Sequence, residues 1–98
     1  MRKKIMQDFY EKYNLSKYYF ARFVGVSHQT LTKYTHGEPI RDDARKKIET
    51  AMHVIRKNDM HKPDFDKHHA FDTRYNYRYC DRVRIYESLV RELIKREP

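Results

Sequence analysis

The chain has 98 residues, with 22 Lys or Arg against 14 Asp or Glu and a formal net charge of +8. This length suffices for one compact domain plus an appended element. No apolar run approaches the roughly 18 residues of a membrane span, which excludes an integral membrane protein. Asp8 and Glu11 interrupt the basic N-terminus, and Cys80 is the single cysteine. We therefore expect a cytoplasmic protein with no signal peptide and no intramolecular disulfide.

The excess positive charge is concentrated in the N-terminal half of the chain. Residues 1–57 contain 13 Lys/Arg and 6 Asp/Glu, whereas residues 58–98 contain 9 and 8. A generally basic soluble protein would spread its excess evenly. The asymmetry instead predicts that the first half binds nucleic acid and that the second half has another role.

Two short helices are predicted before residue 26. Residues 2–13 form an amphipathic helix because an apolar side chain recurs every four residues. Ser16 is a good N-cap for a second helix of about eight residues, and Gly25 permits the positive φ that ends a helix tightly. The predicted core positions of the two helices are Ile5, Phe9 and Tyr13, then Phe20, Ala21 and Val24.

Two further helices are predicted up to residue 57. Ser27 caps a third helix that runs to about Tyr34 with Leu31 and Tyr34 facing inward, and Gly37 is the next natural stop. Asp42 and Asp43 favour the positive end of a fourth helix. Its apolar stripe is Ala44, Ile48, Ala51, Met52 and Ile55.

The C-terminal part of the chain is predicted to be a connecting loop over residues 58–77 and a helix over residues 78–98. Residues 74–79 alternate Arg and Tyr with period two, which on its own favours a short strand. A stripe with steps of three and four residues favours the helix. It consists of Tyr75, Tyr79, Val83, Tyr86, Val90 and Leu93. The expected fold class is all-α, with four helices in the first domain and a C-terminal amphipathic helix.

The segment from Leu15 to Gly37 is the most specific signal in the sequence. Two short helices that cross closely need a small residue at the crossing and a glycine at the turn, and Ala21 and Gly25 meet these needs. Residues 2–57 resemble the helix-turn-helix DNA-binding domain of the Cro/C1-type repressor family. The matching residues are Leu15-Ser16-Lys17, Phe20-Ala21, Val24-Gly25-Val26-Ser27, Leu31, Gly37, Pro39, Lys47-Ile48 and Ala51-Met52. Lys17 and Thr35 depart from the family, which often has Gln and Glu at these positions.

The resemblance implies that the third helix reads a double-stranded DNA operator in the major groove. Its exposed face would supply base contacts from His28, Gln29, Thr30, Thr32 and Lys33. Gln29 suits a bidentate pair with adenine, and Lys33 suits donation to guanine. Phosphate contacts are expected from Lys17, Ser27, Arg41, Arg45 and Lys46. Ser27 lies where a helix N-terminus already favours an anion.

The apolar surface of the C-terminal helix has two interpretations. It exceeds what a thin four-helix domain needs to bury, and small repressors of this class typically pair to read two half-sites. The favoured interpretation is a homodimer interface, and the other is a fifth helix packed on its own domain. The interface residues would be Val83, Tyr86, Leu89, Val90, Leu93 and Ile94.

Enzymatic chemistry is not predicted. The His and Asp residues between His61 and Asp72 lack the closely spaced Cys/His pairs of a structural zinc site, so we expect no metal and no cofactor. The predicted function is a phage- or mobile-element-type repressor without membrane association. Two alternatives stay open: a phage-encoded inhibitor of a CRISPR nuclease, whose C-terminal half would bind the protein target, and an excisionase-like recombination accessory factor.

Overall fold

The computed structural model describes residues 2–63 and 73–97, and within this part of the chain it is all-helical. Five helices follow one another with no strand among the described residues. They are α1 (Arg2–Tyr13), α2 (Lys17–Val24), α3 (His28–Thr35), α4 (Asp42–Lys57) and α5 (Thr73–Arg96). The all-α prediction is confirmed at this level.

The ends of the central helices lie where local hydrogen bonding favours them. The Ser16 Oγ accepts from the Tyr19 backbone N–H at 3.0 Å, and the Ser27 Oγ accepts from that of Thr30 at 3.0 Å. Gly25 ends α2 in the left-handed conformation with φ 81°, which a residue without a Cβ adopts at little cost. The predictions for these three residues are confirmed.

The start of α5 differs from the prediction. The helix begins at Thr73, so the predicted loop over 58–77 is wrong for its last five residues, and the alternation over 74–79 lies in a helix. Residues 64–72, which include most of the His and Asp residues considered as metal ligands, lie outside the described residues. A period-two pattern of Arg and Tyr in so short a window is compatible with a helix, and the longer stripe is the better guide.

One core joins all five helices. In α1 the buried side chains are Met6, Phe9 and Tyr13, whereas Ile5 is 50% exposed, so Ile5 is wrong as a core position. Phe20, Ala21, Leu31 and Tyr34 are buried as predicted, and Val24 is only partly buried. In α4, Ile48, Ala51, Met52 and Ile55 are buried as predicted, and Ala44 is partly exposed. Sequence analysis missed Phe23 and Val54, which are also buried.

Helix α5 contributes to this same core. Tyr86 is 5% exposed and Val90 is fully buried, and both belong to the cluster that contains the core side chains of α1 to α4. The Tyr86 hydroxyl donates to the Met60 carbonyl at 3.0 Å, and the Tyr19 hydroxyl donates to Glu87 at 2.6 Å. The C-terminal helix is therefore fastened to the N-terminal helices by both apolar and polar contacts.

Candidate nucleic-acid interface

Helices α2 and α3 are joined by a three-residue turn, Gly25-Val26-Ser27. The backbone N–H groups of Gly25 and Val26 both donate to the Ala21 carbonyl at 3.0 Å, which closes the end of α2. Ser27 then caps α3 from an extended conformation. These bonds fix the angle between the two helices and leave the N-terminus of α3 at the surface.

Helix α3 has a buried face and an exposed face. Leu31 and Tyr34 are buried, whereas Gln29 and Lys33 are exposed four residues apart on the opposite side. Neither Gln29 nor Lys33 has a side-chain hydrogen bond within the described part of the chain. The amide and the ammonium are therefore available to an external partner.

The two predicted threonine contacts and Ser27 are engaged within α3. Thr32 donates its hydroxyl proton to the His28 carbonyl at 2.9 Å, and the Ser27 hydroxyl donates to Thr30 Oγ1 at 2.8 Å. Both threonines are partly buried. Their hydroxyls can still accept a hydrogen bond, but their geometry is set by the helix, so they are weaker candidates than Gln29 and Lys33.

An aromatic pair at the start of α3 was missed by sequence analysis. The Tyr18 ring, on a side chain that is 71% exposed, stacks on the His28 imidazole with 4.3 Å between ring centroids and 7° between planes. This stack orients His28 at the first position of the helix. The available signal was an aromatic residue on the polar side of α2, between Lys17 and the buried Phe20.

Contacts with α1 and α4 hold the buried side of α3. Arg2 donates to the Tyr34 carbonyl at 3.2 Å, and its guanidinium lies 4.7 Å from the centre of the Tyr34 ring. The Tyr34 hydroxyl donates to Glu49 of α4 at 3.1 Å. Burial, followed by this hydrogen bond, raises the pKa of Tyr34 above its usual value. Arg2 thus holds α3 against α1, and the neutral Tyr34 phenol holds it against α4.

The predicted phosphate contacts fall into two groups. Lys46 is exposed and Lys17 partly exposed, with no ion pair for either among the described residues. Arg41 pairs with Asp43 at 3.4 Å, and Arg45 pairs with Asp42 at 2.8 Å. All four of these paired side chains are more than half exposed, so the pairs contribute little and a phosphate can replace either aspartate.

The predicted dimer interface is wrong for two of its residues. Tyr86 and Val90 are buried in their own protomer and cannot contact a second copy. Val83, Leu93 and Ile94 are partly buried, with Leu93 and Ile94 packed against the core. Leu89 is 53% exposed, as is the neighbouring Ile85 at 61%, which the prediction omitted.

The exposed side of α5 borders an apolar groove. Ile85 and Leu89 line it together with Met60 and Pro63 of the segment that follows α4, and its volume is about 440 Å³. Arg82, Asp59 and His61 also line the groove, whereas Glu92 lies three residues after Leu89 on α5 and outside the lining. The groove is thus an apolar strip bordered by charges of both signs.

Residues 2–63 and 73–97 contain no group of three or more His, Cys, Asp or Glu side chains placed to hold a metal ion. No described helix is both long enough and apolar enough to cross a bilayer. Comparison of the chain with family models, curated proteins and solved structures finds no match.

Proposed function

We propose that the chain is a sequence-specific double-stranded DNA-binding transcriptional regulator, working as a homodimeric repressor of the phage or mobile-element type. The observation that carries this proposal is the exposed face of α3. Gln29 and Lys33 project there from a helix whose other side is buried through Leu31 and Tyr34. A helix that is anchored on one side and polar on the other fits the major groove.

The chemistry of the two exposed side chains gives them separate roles. The Gln29 amide offers one donor and one acceptor, which match N7 and the N6 amino group of adenine. The Lys33 ammonium donates to O6 and N7 of guanine. Lys17 and Lys46, with Arg41 and Arg45 released from their aspartates, would bind phosphates and fix the register without reading sequence.

Selection of bound sites from a pool of random duplexes tests this proposal. Wild-type protein is expected to enrich a defined site. Gln29→Ala and Lys33→Ala should each weaken binding to that site by about 1–3 kcal/mol, or roughly 5- to 150-fold, and relax the preference at one base pair. Gln7→Ala, an exposed glutamine of α1, is the matched control and should leave the selected site unchanged. Identical selected sites from wild type and both α3 variants would contradict the assignment of the reading helix.

The homodimer is proposed to form through the apolar groove on α5. In an antiparallel pair of α5 helices related by a two-fold axis, Ile85 of one copy can face Leu89 of the other. The same register places Arg82 opposite Glu92 of the second copy, so that opposite charges meet at both ends. In the described part of the chain Glu92 pairs with Arg96 alone, at 3.7 Å on an exposed surface, so it is available for this exchange.

Sedimentation of the full chain at micromolar concentration tests the dimer. Leu89→Asp should give a monomer with an unchanged helical circular-dichroism spectrum, because the Leu89 side chain is 53% exposed in the protomer. A palindromic selected site is expected for the wild type. A wild-type monomer under these conditions would contradict the dimer and favour the second candidate.

The second candidate is a protein-binding inhibitor, and the same groove favours it. An exposed apolar strip bordered by charges of both signs is a typical protein contact. Binding of the full chain to a CRISPR nuclease in a pull-down without DNA, lost in Leu89→Asp, would support this candidate. If Leu89→Asp binds the nuclease as well as the wild type does, the groove is not the site of that contact.

A further inference from the structure

A second cleft lies between α2 and α5, on the opposite side of α5 from the apolar groove. Its volume is about 570 Å³, and three arginines surround an aromatic and aliphatic floor. We call it the arginine cleft and define it by Arg22 of α2 and by Arg84 and Arg91 of α5. The floor is formed by Phe23 and Val83.

Positive charge is in excess in the arginine cleft. Among the described residues, Glu87 is the one acidic residue that lines it, and both of its carboxylate oxygens are occupied. One oxygen accepts from the Tyr19 hydroxyl at 2.6 Å, and the other pairs with Arg91 at 3.4 Å. Arg22 and Arg84 are exposed and have no ion pair among the described residues. The cleft therefore presents two uncompensated guanidinium groups to an external anion.

The third arginine is already oriented. The Arg91 guanidinium carbon lies 4.8 Å from the centre of the Phe23 ring, and its Nη1 contacts Glu87. A guanidinium held over an aromatic ring loses little further freedom when it binds an anion. Arg91 thus supplies an oriented guanidinium in the wall of the cleft, with its charge offset by Glu87, beside the two unpaired ones.

The arginine cleft is continuous with the proposed reading face. Tyr18 stacks on His28 at the start of α3, and Arg22 lies one helical turn beyond Tyr18 on the same side of α2. Arg22 in turn shares the cleft with Arg84. A line of side chains thus leads from the N-terminus of α3 across α2 to α5.

We propose that the arginine cleft binds backbone phosphates of the duplex just outside the base pairs that α3 reads, so that α5 is part of the DNA interface. This inference rests on the proposed function and extends it to a helix that lies beyond the basic N-terminal half. Duplex DNA is favoured over an acidic protein because the cleft adjoins the exposed face of α3 that we propose to read bases, where backbone phosphates would lie close by.

The test is the salt dependence of binding by the full chain to a random-sequence duplex, measured by fluorescence anisotropy between about 50 and 200 mM salt. Each lost phosphate contact reduces the slope of log K against log salt by about 0.9, so affinity falls roughly 3.5-fold less over this range. Arg22→Ala and Arg84→Ala should each show this reduction, and the double variant about twice as much. Arg84→Lys, which keeps the charge, should restore most of the slope.

Arg96→Ala is the matched control, because Arg96 is an exposed arginine of the same helix outside the cleft, and its slope should equal that of the wild type. If wild type binds with a steep slope and the Arg22 and Arg84 variants keep it, this inference is overturned while the proposed function stands. If the same variants then lose binding to polyglutamate, the cleft belongs to an acidic protein instead. If wild type binds no duplex at all, the proposed function itself fails.

Discussion

Truncation of Val90 measures directly whether α5 belongs to the core of its own protomer. Val90 is fully buried and is surrounded by side chains of the same cluster as Phe20 and Leu31. Val90→Ala removes two methyl-sized groups, each worth about 0.8 kcal/mol of transfer free energy. The cavity that remains adds to this loss, so we expect the free energy of unfolding to fall by about 2–3 kcal/mol. For a chain of this size that is a large part of the total stability.

The adjacent residue provides the control. Leu89 is 53% exposed, so Leu89→Ala should change the free energy of unfolding by less than about 0.5 kcal/mol in the monomer. Urea denaturation followed by circular dichroism compares the two variants, at two protein concentrations so that any contribution from a dimer is seen as a concentration dependence. Equal losses in both variants, or no loss in Val90→Ala, would refute the placement of α5.

Two further changes test the polar contacts of the core. Tyr19→Phe removes the hydrogen bond to Glu87 and should lower the free energy of unfolding, measured by urea denaturation, by about 1–2 kcal/mol. Tyr18→Phe, at the exposed neighbouring residue, should change it by less than about 0.5 kcal/mol. Similar effects of the two substitutions would contradict the contact between α2 and α5. Burial raises the pKa of Tyr10 to about 12 and is also the main cause that raises the pKa of Tyr86 to about 12. The folded state therefore retains phenol protons that the unfolded chain loses near pH 10. The contribution of these two tyrosines to the free energy of unfolding should be constant below about pH 10 and fall as the pH rises to 12, with a smaller fall in Tyr10→Phe. A urea midpoint that is the same at pH 8 and pH 11 would contradict this expectation.

Sequence analysis succeeded where the determining interactions are local. Ser16, Gly25 and Ser27 act through hydrogen bonds to residues at most four positions away or through their own backbone conformation. Such signals are present in the sequence whatever the remaining chain does. The bounds of α2 and α3, and with them the exposed positions of Gln29 and Lys33, followed from these signals.

Ile5 shows how a local pattern can choose the wrong face. Ile5, Phe9 and Tyr13 recur every four residues, and Met6 lies three residues before Phe9 on the same broad side. The direction from which α2 and α4 pack decides between Ile5 and Met6, and it selects Met6. That direction is a tertiary property, which the periodicity of α1 alone does not contain.

For helix α5, too, periodicity does not determine which side packs against the rest of the protein. The stripe through Val83, Tyr86, Val90 and Leu93 has the alternating steps of a helix–helix contact. Ile85 and Leu89, four residues apart, form a second and shorter apolar row. Periodicity predicts that a helix has a partner, but the partner can be another part of the same chain or a second copy. The structure assigns the first stripe to the protomer core and leaves the second row exposed.

The position of α5 bears directly on the proposed DNA binding. Tyr86 and Val90 complete the core, and Glu87 and Arg91 contact α2, against which α3, the proposed reading helix, packs. Folding free energy that holds α3 in place is therefore supplied in part by the C-terminal helix. A fragment that ends at residue 57 would lose these contacts, so weak DNA binding by such a fragment would report lost stability as well as lost charge. The proposed contacts to bases, to phosphates and to a second protein are therefore best compared in the full chain.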